Sequence, residues 1–99
     1  LPLKELLIAA TGTRDLSALH GLKLKSLNCR RNPLEDLGPL AGMPLEMLDV
    51  RETKVVDLSP LRGMKLKKLW PPPKNPLWDE SWKVLDELER AGCEIRWGD

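Results

Sequence analysis

The chain has 99 residues, 41% of them hydrophobic, with 16 basic against 15 acidic side chains and a net charge of +1. One domain is the ceiling at this length. The balanced charge gives no reason to expect nucleic acid or an anionic membrane as partner, and no apolar run approaches the roughly 18 residues of a spanning helix. Two cysteines, Cys29 and Cys93, are too few for a disulfide framework and read as reduced, buried thiols. With no leader in these residues they favour the cytoplasm.

The chain opens on three units that align without gaps at a period of 21. They are PLKELLIAATGTRDLSALHGL (2–22), KLKSLNCRRNPLEDLGPLAGM (23–43) and PLEMLDVRETKVVDLSPLRGM (44–64); a fourth, KLKKLW, stops at Trp70. Leu6, Leu27, Leu48 and Leu69 form one column, and Leu3, Leu24, Leu45 and Leu66 another. Ile8, Cys29 and Val50 form a third, which Pro71 ends. Such self-similarity is the signature of a stacked array, in which each unit buries its apolar face only against its neighbours.

Within a unit, Leu6 and Ile8 alternate with Leu7, which predicts a strand whose inward residues stack on the next unit in a parallel sheet. Thr11, Asn32 and Thr53 follow at the turn, where their side chains can bond backbone groups and ladder between units. Ser17, Gly38 and Ser59 are placed as helix N-caps, with Pro39 and Pro60 at the first helical position and Gly21, Gly42 and Gly63 as left-handed C′ residues. A 21-residue unit leaves room for about one helical turn, so 3₁₀ geometry is expected.

Residues 71–99 break the period. PPPKNP (71–76) reads as a stiff extended connection rather than a polyproline ligand. From Pro76 or Asp79 to Arg90 the pattern is helical, with Leu77, Trp78, Ser81, Trp82, Val84, Leu85, Leu88 and Ala91 on one half of the wheel. Gly92 is a stop. Cys93, Ile95 and Trp97 then alternate inward with Glu94 and Arg96, predicting a last strand beside residues 68–70. We divide the chain into a repeat array (1–70) and a C-terminal cap (71–99).

The columns L-x-x-L-x-L-x-x-N-x-L resemble the leucine-rich repeat. The segment D-L-S-P-L resembles internalin-like bacterial repeats, and V-x-D-L-S-P-L-x-G-M-x-L is similar to arrays attached to bacterial serine/threonine protein kinases. The resemblance covers residues 2–70. It implies an α/β solenoid, with a parallel sheet on a concave face, short 3₁₀ turns on a convex face and a helix–strand cap. It implies a non-enzymatic module for protein–protein interaction, at the end of a longer array or signalling protein.

Little chemistry is indicated. His20, the lone histidine, falls on a solvent-facing convex column. Cys29 and Cys93 lie on buried columns and lack a base. One histidine and no paired cysteine spacing leave no zinc site, and no cofactor is expected. Asp15, Asp36 and Asp57 are read as acceptors for turn amides rather than as a calcium ladder. Lys65, Lys67 and Lys68 are read as a solvated face beside a net acidic cap.

The expected partner surface is the concave face, whose outward residues are Glu5, Leu7, Ala9, Ser26, Asn28, Arg30, Met47, Asp49, Arg51, Lys68, Trp70, Glu94 and Arg96. Among these Leu7, Asn28, Arg30, Met47, Asp49, Arg51, Lys68 and Trp70 are the candidates for holding a protein or peptide. Trp70 is either presented to that partner or covered by Pro71–Pro73. The opening at Leu1 falls on a unit boundary, so Leu3, Leu6 and Ile8 are expected to mark an uncovered core end. The competing expectation is therefore a homodimer through that N-terminal edge.

Overall fold

A computed structural model describes residues 4–72, 78 and 80–97. Leu3, residues 73–77 and Asp79, to which the sequence assigns an edge contact, the connection and the helix start, lie outside the described residues. Five strands occur in chain order: β1 (Glu5–Leu7), β2 (Ser26–Asn28), β3 (Met47–Asp49), β4 (Lys68–Trp70) and β5 (Glu94–Ile95). Three 3₁₀ turns, Ser17–Leu19, Gly38–Leu40 and Ser59–Leu61, follow the first three strands, and α1 (Ser81–Arg90) precedes β5. The strands form one parallel sheet in the order β1-β2-β3-β4-β5. The result is a small α/β fold in a solenoid-like arrangement.

The register carries the 21-residue spacing into space. Leu6 lies opposite Leu27, Leu27 opposite Leu48 and Leu48 opposite Leu69, while Ile95 of β5 lies opposite Leu69. Leu27, Cys29, Leu48, Val50 and Leu69 are all within 1% of complete burial, and Leu37, Leu40, Leu58 and Leu61 meet them from the turn side. The first unit is looser: Leu6, Ile8 and Leu19 are only partly buried.

After each of the first three strands the backbone turns through a left-handed residue that is not glycine. Ala10, Arg31 and Glu52 have φ of 56°, 60° and 57°, again 21 residues apart. The polar column beyond them forms the expected ladder between the first two units. Asn32, buried, reaches the preceding unit: its Nδ2 donates to the Ile8 carbonyl (2.7 Å), and its Oδ1 accepts from the Thr11 and Thr13 amides (3.0 and 2.9 Å). Thr11 and Thr53 donate their hydroxyls to Ile8 and Val50, three residues back in their own units. The Thr11 hydroxyl also lies 3.3 Å from Asn32 Oδ1, so the first two units are joined side chain to side chain, whereas the Thr53 hydroxyl bonds within its own unit.

The turn caps also sit one position earlier than predicted. The 3₁₀ turns start at Ser17, Gly38 and Ser59, so Leu16, Leu37 and Leu58 occupy the N-cap position, and Pro39 and Pro60 are second in the turn. Oδ1 of Asp15, Asp36 and Asp57 accepts the Ser17, Gly38 and Ser59 amides at 2.8, 2.7 and 2.9 Å. An aspartate two residues ahead thus satisfies an amide that the cap would otherwise leave open. The Ser59 amide, and secondarily its hydroxyl, hold the Asp57 carboxyl below its usual range.

In α1 the buried stripe is Ser81, Val84, Leu85 and Leu88, narrower than the apolar half-wheel expected; Trp82 is 44% exposed and Ala91 is exposed. The helix closes with Gly92 at φ 107°. The Cys93 amide donates to Leu88 (3.0 Å) and the Gly92 amide to Glu89 (3.1 Å), the paired bonds of a Schellman ending. Beyond it, Cys93 is buried and Ile95 half-buried, but Trp97 is 41% exposed. Trp97 faces α1 as the alternation predicts, 6.1 Å from the Trp78 and Trp82 rings, but it is only partly covered. β5 ends at Ile95, and among the described residues no further strand extends the sheet over the tryptophan.

Candidate interaction surface

Two rows of side chains cross the solvent face of the sheet. Pairing places Leu7, Asn28, Asp49 and Trp70 in one row, and Glu5, Ser26, Met47, Lys68 and Glu94 in the other. Parallel strands bring successive members of a row to about 5 Å. Arg30 and Arg51 continue from β2 and β3 along the same alternation. Leu7 is 75% exposed and Met47 38%, the exposed large apolar side chains of this face among the described residues.

Asp49 differs from the expectation of an outward, available carboxylate, because it is 95% buried beneath Arg51. Arg51 Nε donates to Oδ1 (3.0 Å) and Nη2 to Oδ2 (2.7 Å), while the Arg51 amide also bonds Oδ1 (3.1 Å). This two-pronged geometry locks both side chains. Asn28 uses its Oδ1 in the same way on the Arg30 amide (3.2 Å). Trp70 is half-buried, with the Arg51 guanidinium 5.7 Å from its ring centroid. Pro71 and Pro72 beside it are buried.

The turn adds charges, Arg31 and Glu52, that strand alternation alone does not place on this face. Glu52 accepts from Arg31 Nε at 2.7 Å and faces Arg30 Nη2 at 3.6 Å. The Arg31 hydrogen bond, with both guanidinium charges, holds the Glu52 carboxyl below the usual carboxylate range. The signal available in sequence was the column Ala10, Arg31, Glu52, which places consecutive units' charges side by side. The face is thus a charge-balanced polar frame around exposed Leu7 and Met47 rather than a basic patch.

At the other candidate surface, β1 pairs with β2 on one side and forms the edge of the described sheet. Leu6 and Ile8 are half-buried there, whereas their equivalents Leu27, Cys29, Leu48 and Val50 are covered.

His20 is exposed on the turn side. Both cysteines are free and buried. Burial, then the Asp49 charge, pushes the Cys29 thiol up to about 12; burial, then Glu94 and Glu89, pushes Cys93 up to about 11. Neither has the accessible, lowered thiol of a nucleophile. Among the described residues no group of three or more His, Cys, Asp or Glu side chains is placed to hold a metal, and no helix is long and apolar enough to cross a membrane. Comparison with protein-family models, curated proteins and solved structures finds no match to this chain.

Proposed function

We propose that the chain is a leucine-rich-repeat module of the bacterial internalin-like type, and that it binds a protein or peptide partner on the solvent face of its sheet without catalysing a reaction. The observation that carries this reading is the exposure of Leu7 and Met47 beside the locked Asp49–Arg51–Trp70 group. Open apolar anchors set among rigid Arg and Trp side chains match the composition of interface centres. The charge-balanced frame favours a partner of mixed surface over nucleic acid. Within a longer chain, such as a signalling kinase, the module would supply recognition alone.

The reading is tested by affinity capture of a partner with the native chain, with the double variant Leu7→Glu/Met47→Glu, and with Lys65→Glu on the turn side. Retention by Lys65→Glu and loss by the double variant is the expected result. Equal capture by the double variant would move the interface elsewhere.

A second reading is favoured by the partial burial of Leu6 and Ile8 at the edge of β1, where a second copy could complete the sheet and core. Light scattering would then give a concentration-dependent dimer, which a designed polar cap ahead of the first unit should abolish. Dimerisation of unchanged affinity in the capped chain would remove this edge from consideration.

A further inference from the structure

The opposite end of the sheet carries a feature that the solvent face does not explain. Between α1 and β5 lies a cleft of about 290 Å³, lined by Trp82, Leu85, Asp86, Glu89, Ile95 and Trp97. Trp82 stands edge-on to buried Trp78, with centroids 4.8 Å apart, and Trp97 lies 6.1 Å from both. The three indoles brace one another, yet Trp82 and Trp97 remain 44% and 41% exposed. Among the described residues, two carboxylates and no basic side chain line the cleft.

We propose that this cleft receives an arginine side chain of a partner protein. An exposed indole held by its neighbours offers a pre-set surface to a cation, and a planar guanidinium can lie on the ring while its N–H groups reach carboxylates. Glu89 and Asp86 stand on the helix where such bonds would fall. Asp86 already holds one guanidinium, that of Arg90, at 3.2 Å through Oδ2. Arg90 is itself 80% exposed and outside the cleft lining, so this pair leaves the cleft open. A lysine ammonium would gain the charge but not the flat stacking contact.

The experiment is an NMR titration of the 99-residue chain with acetyl-Gly-Gly-Arg-Gly-Gly-amide, and with the same peptide carrying neutral citrulline. The arginine peptide should move the indole N–H signals of Trp82 and Trp97 but leave that of Trp70 in place; the citrulline peptide should move none. Asp86→Asn/Glu89→Gln changes only exposed positions, and its fold is checked by circular dichroism. It should bind the arginine peptide about fivefold more weakly, the loss expected of two exposed charge contacts. Equal shifts with citrulline, unchanged binding by the double variant, or movement confined to Trp70 would each overturn the assignment. All three readouts are independent of whether the sheet face binds a partner.

Discussion

Ala10 sits at φ 56°, in a conformation that costs an L-residue roughly 1–2 kcal/mol. Glycine would relieve that strain while losing some freedom on folding, so Ala10→Gly should stabilise the chain by about 0.5–1 kcal/mol in urea denaturation. Gly42 shows the opposite case. At φ 78° an added Cβ meets nothing within 4 Å, so Gly42→Ala should destabilise by strain alone, about 1 kcal/mol. Cys29 sets an alkaline limit. Its folded pKa, about 12, lies above the ordinary value of 9.0, so the folded state keeps a proton that the unfolded chain releases. Its contribution is therefore complete below pH 9.0 and is lost as pH rises towards 12. Cys29→Val, matched to the Ile8–Val50 column, should flatten that fall. Thiol titration at pH 8 should be slow for both native cysteines.

At the scale of elements, the Ser81 hydroxyl ties α1 to the backbone of the third unit. Ser81 Oγ accepts from the Leu58 amide (2.9 Å) and donates to the Val56 carbonyl (3.0 Å), and Ser81 is 4% exposed. Ser81→Ala would leave a buried amide without its acceptor, at a cost of about 1–3 kcal/mol in chemical denaturation. A change within 0.3 kcal/mol would mean that water replaces the hydroxyl. Leu48 tests the stack itself. It is fully buried between Leu27 and Leu69, so Leu48→Ala should cost about 2–5 kcal/mol. A loss below about 1 kcal/mol would contradict this register.

Across the whole molecule, packing is graded along the sheet. The Ile8 amide donates to Asn28 at 2.8 Å and the Val50 amide to Trp70 at 2.9 Å, two equivalent bonds in different surroundings. Val50 is fully buried and Ile8 is not. Units that contact only their neighbours open from their ends, so hydrogen exchange should be at least about tenfold slower at Val50 than at Ile8. Equal protection would show that the five strands open as one unit.

Most of the backbone plan was legible in the 21-residue period. It predicted parallel strands in the order of the chain, the Leu6–Leu27–Leu48–Leu69 stack, 3₁₀ turns ended by Gly21, Gly42 and Gly63, and a terminal strand beside β4. These follow from apolar columns and glycine punctuation, which are local and repeat with the sequence. The caps were legible in residue type but displaced by one, because Ser17, Gly38 and Ser59 offer their amides and the aspartates supply the oxygen. What separates the units was not legible. Asn32 bridges while Thr53 does not, Asp49 disappears beneath Arg51, and Ser81 ties α1 to residues 56 and 58. Trp97 stays open although its strand alternation points inward. Each depends on the reach of one side chain across a gap between units, a distance set by how the coils stack rather than by the order of residues within them.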